Sequence, residues 1–155
     1  MKKTIILFAS CFALLLLSCE KTRMDGDWDD IVKLSNKEVK FDKSGGTIRI
    51  TTKGDFWWLS SDILINGEIV FLYGNSEINV ELGKIKGWDN PNVIYDEGAD
   101  MEIKKIESTW FSVTKDTYKS LIITLQPNET ELPRFINLNI QAGNYFDYVK
   151  IEQAE

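Results

Sequence analysis

The sequence predicts an all-β fold in which two antiparallel sheets pack as a β-sandwich. Three observations support this prediction. From residue 37 onward apolar and polar residues alternate with a period of two, Gly, Asn and Pro separate the alternating runs, and no stretch beyond the N-terminal segment has helical spacing. Antiparallel strands with one buried face produce this alternation. Many short strands without helices favour two packed sheets over other architectures.

The apolar half of the alternation marks the predicted core along the whole domain. Its members are aliphatic or aromatic residues two positions apart, separated by a Ser-Gly-Gly turn at 44–46 and by later turns. They are Val39, Phe41, Ile48, Ile50, Leu121, Ile123, Leu125, Ile136, Leu138, Ile140, Val149 and Ile151.

The last two strands can be placed in register from the sequence. Gly143-Asn144 is typical of a two-residue hairpin turn, which pairs Gln141 with Phe146 and Ile136 with Ile151. A shift by one residue would send the aliphatic residues to opposite faces, so the hydrophobic pattern favours this register. The pairing predicts one aliphatic face and one aromatic and polar face. The second face carries Phe135, Asn137, Asn139, Gln141, Phe146, Tyr148 and Lys150.

Residues 61–105 form a predicted insertion in the sandwich. Asn66-Gly67 lies between two apolar runs and predicts a hairpin, and the remainder is rich in turn residues with an acidic stretch at 96–100. Two interpretations carry equal weight at this point. The insertion either holds a recognition loop or only extends the sheet and covers an edge.

The N-terminal segment predicts membrane attachment. Met1-Lys2-Lys3 precedes an apolar stretch of about a dozen residues, which is shorter than the roughly 20 residues that a bilayer-spanning helix needs. The stretch ends in Leu-Leu-Ser-Cys at 16–19, the pattern of a bacterial lipoprotein signal. We therefore expect a signal peptide at 1–18, a lipid on Cys19, an acidic tether over 19–36 and the β domain over 37–155. A plain signal peptide or a short membrane anchor is the alternative.

Composition restricts the chemistry of the mature chain. The sequence has no histidine, and Cys11 and Cys19 are its two cysteines, so His-dependent catalysis, His-ligated zinc and a disulfide within the β domain are excluded. Loss of 1–18 removes two lysines and no acid, which changes the net charge from −6 to −8. This acidity argues against nucleic acid. The acidic run at 25–29 is not followed by a calcium loop, because Asp30 stands where such a loop needs Gly and Asn36 stands where it needs Glu. We expect no cofactor, no metal and no catalytic site.

Six segments in order resemble a BACON domain, the small immunoglobulin-like module common in Bacteroidetes. They are a strand with Ser-Gly-Gly-Thr at 39–47, a Trp-Trp motif at 54–60, a second Trp motif at 110–113, a turn containing Asn128, a strand that Arg134 opens, and a closing Val-Lys-Ile-Glu-Gln at 149–153. The resemblance covers 37–60 and 106–153, and the insertion departs from it. It implies an immunoglobulin-like sandwich and an association with carbohydrates.

Sugars stack their C–H faces on aromatic rings, while amides and carboxylates hold their hydroxyl groups. This chemistry predicts ligand-binding candidates on the second hairpin face, at one of the adjacent Trp residues and in the insertion: Trp57, Trp88, Tyr95, Phe135, Asn137, Asn139, Phe146 and Tyr148. For the hairpin face, the alternative is that the insertion folds over it and buries the rings. Trp58 and Trp110 are expected to pack in the core.

These features predict a lipid-anchored, non-catalytic binding protein of the outer membrane, on the cell surface or the periplasmic face. The expected partners are the membrane, reached through the lipid, and a glycan such as mucin or a polysaccharide. A protein–protein, adhesin or spacer module of an envelope complex is the alternative.

Overall fold

The computed structural model describes residues 29–72, 92–95 and 102–155. The signal segment, Cys19, most of the tether and Trp88 lie outside this part of the chain. The described residues form strands only, with these bounds: β1 (Glu38–Phe41), β2 (Gly46–Thr51), β3 (Trp58–Ile65), β4 (Glu68–Phe71), β5 (Asn92–Tyr95), β6 (Ile103–Glu107), β7 (Phe111–Thr117), β8 (Ser120–Leu125), β9 (Arg134–Ala142) and β10 (Tyr145–Gln153).

The strands form two five-stranded sheets, which confirms the predicted all-β sandwich. One sheet has the order β1-β10-β9-β3-β4, and the other has the order β2-β8-β7-β6-β5. Aliphatic residues predicted to face inward are buried between the sheets, including Ile50, Leu121, Ile123, Leu138 and Val149. Burial of these side chains is the main source of stability for a domain with no disulfide. No helix in 29–72, 92–95 and 102–155 is long and apolar enough to cross a membrane.

The register of the last hairpin is as predicted. Gln141 pairs with Phe146 and Ile136 with Ile151, and the turn residue Gly143 has a φ of 62°. The aliphatic residues of both strands therefore face the second sheet, and the amide and aromatic residues face away from it.

The described parts of the insertion extend both sheets. Asn66 and Gly67 have φ values of 50° and 86°, as a type I′ turn requires, and they join β3 to β4 at one sheet edge. Strand β5 pairs with β6 at an edge of the other sheet. Sheet extension therefore accounts for part of the insertion, while 73–91 and 96–101 lie outside the described residues.

The end of the segment assigned to the tether packs against the domain. Val32 is buried, and Leu34 bridges to Thr52. Lys37 forms ion pairs with Asp30 at 3.2 Å and with Asp147 of β10 at 2.8 Å. From Glu38 the chain continues as β1, which pairs with β10 in parallel. The last part of the segment predicted as a tether is therefore packed on the β domain, through Asp30, Val32 and Leu34.

The Ser-Gly-Gly turn has a steric cause. Gly45 has a φ of 72°, and a Cβ atom at this position would lie 2.3 Å from the backbone oxygen of Leu125. Only glycine fits such a close approach between a turn and a neighbouring strand.

Candidate functional site

One outward-facing surface combines exposed rings with amide side chains. It lies on β3, β9 and β10 of the first sheet, on the side opposite the core. We call it the aromatic–amide face and define it by Trp58, Phe135, Asn137, Asn139, Gln141, Phe146 and Tyr148. Because these residues alternate with core residues along their strands, burial of the core side holds them in place.

One end of the face is built around Trp58. Gln141 lies between Trp58 on β3 and Phe146 on β10. The Trp58 indole Nε1 donates a hydrogen bond to Gln141 Oε1 at 3.2 Å, and the Phe56 ring meets the Trp58 ring edge to face at 5.6 Å. The hydrogen bond fixes both side chains, so this end presents a preoriented ring beside an amide.

The middle of the face has a carboxylate that the sequence did not single out. A register shift between Leu59 and Ile63 brings Asp62 next to Asn139. Asp62 Oδ2 accepts from Asn139 Nδ2 at 2.6 Å, and Asp62 Oδ1 accepts from Ser60 Oγ at 2.7 Å. Tyr148 pairs with Asn139 on the other side. No signal in the sequence announces this irregularity, because simple alternation along β3 does not predict a bulge.

The rings predicted on the second hairpin face are exposed. The exposed fraction is 44% for Phe135, 63% for Phe146 and 44% for Tyr148. The described parts of the insertion, β3 to β4 and β5, extend the sheets, while 73–91 and 96–101 lie outside the described residues. Exposed rings of this size on one face are available for contact with a ligand or partner.

Trp57 is a correction to the predicted set. Its side chain is only 1% exposed, and its Nε1 donates to Tyr118 O at 2.8 Å and to Thr52 Oγ1 at 3.0 Å. Lys115 Nζ lies 4.8 Å from the ring centroid. Alternation counted back from the buried Leu59 places Trp57 inward and its neighbour outward. The ring that approaches solvent is therefore Trp58, which was expected in the core.

The candidates of the insertion contribute less than expected. Tyr95 is half-buried against the core, and its hydroxyl donates to the backbone oxygen of Leu72 at 2.7 Å. Its position is that of a packing residue at a sheet edge. Trp88 lies in the part of the chain that the structure does not describe. Trp110, expected in the core, is half-buried and packs against it, with the Arg134 guanidinium 5.0 Å from its ring centroid.

The outer side of the second sheet differs in chemistry. Strands β2, β8 and β7 present hydroxyl and charged side chains, among them Thr47, Arg49, Ser112, Thr114 and Thr124. The Thr47 and Thr124 hydroxyls bond to each other at 3.0 Å. The sandwich thus has one hydroxyl-rich side and one ring-bearing side, which makes the two sides unequal as binding surfaces.

A groove of about 560 Å³ crosses the aromatic–amide face at the end near the Asn66-Gly67 turn. Its volume lies in the range of small-molecule sites. Phe135, Leu64 and Asn137 line it together with two acids and two lysines, namely Glu38, Glu152, Lys40 and Lys150. Lys40 and Glu152 form an ion pair at 3.2 Å. The groove therefore carries balanced charge over an apolar floor.

The three amides of β9 differ in how they are held. Gln141 and Asn139 are bonded to protein groups, but Asn137 Oδ1 is buried and has no hydrogen-bond partner among the described residues. A buried acceptor without a partner costs roughly 1–3 kcal/mol. Asn137 lines the groove. The groove thus contains the one amide of this row that is not engaged by its strand neighbours.

The charged groups near β10 are paired with each other. Tyr145 Oη donates to Asp147 Oδ2 at 3.2 Å, and the hydrogen bond of Lys37 with Asp147 raises the pKa of Lys37 above its ordinary value. Burial and the nearby Asp147 carboxylate raise the pKa of Tyr145. Burial alone would raise the pKa of Asp30, but hydrogen bonds from the Lys33 backbone and from Lys37 lower it overall. This cluster joins Asp30 and Lys37 to β10 of the sheet.

Two further observations concern ions and glycosylation. In the described ranges, no cluster of three or more Cys, Asp or Glu residues could hold a metal ion. The glycosylation sequon at 128–130 begins with an asparagine that is 0% exposed. Asn128 Nδ2 donates to Leu132 O at 2.8 Å and to Ala154 O at 2.9 Å. Its role is to organise the loop before β9.

The fold has a counterpart among solved structures. No family model matches the chain, and no curated protein matches it. An NMR structure of a protein from Bacteroides thetaiotaomicron is similar over 88% of this chain and 97% of that chain, with a TM-score of 0.57 and 21% sequence identity. At this identity the likeness concerns the fold alone. The chain is thus an all-β protein that shares its fold with that Bacteroides protein.

Proposed function

We propose that this protein is a lipid-anchored, non-catalytic binding protein of the cell envelope that holds glycans on its aromatic–amide face. The observation that carries the proposal is the arrangement of exposed rings beside fixed amides on one side of the sandwich. Rings accept the C–H faces of sugars, amides both donate to and accept from hydroxyl groups, and carboxylates accept from hydroxyl groups.

The geometry of the face supports a repeating ligand. Asn137, Asn139 and Gln141 are two residues apart on β9, so their spacing is about 6.6 Å per step. Rings flank this row on both sides, with Trp58 on β3 and Tyr148 on β10. An extended chain of sugar units along β9 would meet rings and amides repeatedly.

The sequence supports the cellular setting. The Leu-Leu-Ser-Cys ending at 16–19 would place a lipid on Cys19, and two or more acyl chains give stable membrane attachment. The outer membrane, on its surface or periplasmic side, is the proposed location. The resemblance to BACON domains supports the same association with carbohydrates, in mucin or polysaccharide.

A glycan array tests this proposal. The chain from residue 20 onward keeps every residue that the structure describes and can be labelled and screened. We expect binding to one class of polysaccharide, reduced at least tenfold in Trp58→Ala and Tyr148→Ala. Thr114→Ala, on the other outer side, is the control and should bind like the parent. Absence of binding throughout the array, or equal binding by all three variants, would reject the proposal.

A protein partner is the second candidate. Ile69 on β4 is 57% exposed and pairs with Leu64 beside the same face. Exposed aliphatic side chains on an edge strand favour contact with another protein. Cross-linking on intact cells that depends on Ile69, tested with Ile69→Lys, would support this function, particularly if glycan binding is absent.

A further inference from the structure

We propose that the groove around Asn137 is the subsite that selects the ligand, and that it takes a neutral saccharide unit. The inference rests on the proposed glycan function and adds a place and a chemical class to it. Its basis is the groove of about 560 Å³ and the side chain of Asn137, which lines the groove and whose buried Oδ1 has no hydrogen-bond partner among the described residues.

The polar groups of the groove indicate a ligand that both donates and accepts. Asn137 Oδ1 lacks a donor among the described residues, and the carboxylates of Glu38 and Glu152 also accept. Lys40 and Lys150 donate across the same space. Hydroxyl and acetamido groups provide donors and acceptors within one small unit, whereas hydrocarbon or purely anionic ligands do not.

The charges of the groove indicate that the ligand is neutral. Two acids face two lysines, so the lining residues sum to no net charge, and Lys40 is already paired with Glu152 at 3.2 Å. An anionic or cationic unit would meet as much repulsion as attraction and would lose hydration on entry. A neutral polar unit avoids this cost.

The apolar surface of the groove gives the ligand a face to pack against. The Phe135 ring is 44% exposed, and Leu64 lies beside Asn137 in the register of β3 and β9. The turn holds this end in place, because Asn66 Oδ1 accepts from the Phe135 backbone N–H at 2.7 Å. The groove is therefore preformed at the position where Asn137 lines it.

A titration followed by NMR tests the inference on the mature chain, residues 19–155, with Cys19→Ser to prevent lipidation. The probes are cellobiose, lactose and N,N′-diacetylchitobiose, with digalacturonate as the charged comparison. We expect at least one neutral disaccharide to shift the Asn137 side-chain amide and the Gly67 backbone amide with saturation. Digalacturonate should bind at least tenfold more weakly. A comparison of the affinities for cellobiose and diacetylchitobiose shows whether the groove prefers a hydroxyl or an acetamido group as the donor.

Substitution gives the second arm. Asn137→Ala should weaken binding at least tenfold while leaving the melting temperature unchanged or higher, because no protein hydrogen bond to its oxygen is lost. Asn144→Ala, in the turn at the far end of β9, is the matched control and should bind like the parent. Asn139→Ala should lower the melting temperature, because it breaks the bond to Asp62.

The inference fails if no neutral disaccharide shifts the groove signals, if digalacturonate binds equally well, or if Asn137→Ala keeps its affinity. If glycan binding is weakened by Trp58→Ala but not by Asn137→Ala, the inference about the groove is wrong and the proposed function still holds. An array without any binding would overturn both.

Discussion

Replacement of Asn128 by alanine should destabilise the whole domain, although the residue lies in a loop. Its side chain is fully buried and has all its polar atoms engaged. Nδ2 donates to Leu132 O and Ala154 O, and Oδ1 accepts from Thr130 N at 3.1 Å and from Thr130 Oγ1 at 2.7 Å. These bonds tie the loop before β9 to the end of the chain after β10.

The size of the effect follows from what remains unpaired. Leu132 O keeps a donor, because Thr130 Oγ1 also reaches it at 3.0 Å, while Ala154 O loses its donor and Thr130 N loses its acceptor. With about 1 kcal/mol for each lost bond, and more where a buried group is left unpaired, the free energy of unfolding should fall by about 2–4 kcal/mol. For a domain of this size that is a decrease of roughly 8–16 °C in melting temperature.

Denaturant unfolding followed by tryptophan fluorescence measures this change. Asn36→Ala is the matched control, because Asn36 is exposed and makes no side-chain hydrogen bond within the described residues, so its effect should stay within about 0.5 kcal/mol. Asn128→Asp keeps the acceptor but places a carboxylate oxygen beside two carbonyls, and it should be at least as destabilising at neutral pH. A loss for Asn128→Ala no larger than that of the control would refute the argument.

Three other predictions concern stability. Gly45→Ala should lower the free energy of unfolding by about 3 kcal/mol, because of backbone strain and the clash with a neighbouring carbonyl. Gly67→Ala has open space around its Cβ and should lower it by about 1 kcal/mol, and chemical denaturation measures both changes. The ion pairs of Lys37 raise its pKa in the folded protein above the ordinary 10.5. The stability that these ion pairs provide is therefore fully present below pH 10.5 and is lost as the pH rises through the pKa of Lys37 in the folded state. The unfolding free energy should therefore decline above pH 10.5, and Lys37→Met should flatten that decline, whereas equal slopes would contradict it. Trp57→Ala should lose about 3–5 kcal/mol as a core deletion, and Trp58→Ala about 1–2 kcal/mol, so equal losses would contradict their assigned sides.

Local patterns allowed much of the fold to be predicted. The register of β9 and β10 follows from one turn and an uninterrupted alternation, and a slip would expose aliphatic residues to water. The Asn66-Gly67 hairpin follows from backbone conformations that Asn and Gly tolerate. Both depend on residues close in sequence, which is why they could be predicted.

The candidate site was predicted only in part. Three of its rings and all three of its amides were placed correctly on one face, because they share strands whose alternation is visible. Trp57 was assigned to the wrong side of the sheet. Two adjacent tryptophans must point to opposite sides of a strand, but the pair by itself does not show which of the two faces the core. Asp62 was missed because a bulge in β3 brings it to Asn139.

The sequence by itself determined the fold class, the last hairpin and the exclusion of histidine chemistry, and it predicts a lipid on Cys19. Each depends on composition or on neighbours along one strand. Tertiary structure decided which tryptophan is buried, that Asn128 is an internal brace, and that residues from β1, β3, β9 and β10 line one groove. These outcomes depend on which strands lie side by side, and strand order is set by packing between the two sheets over long sequence separations.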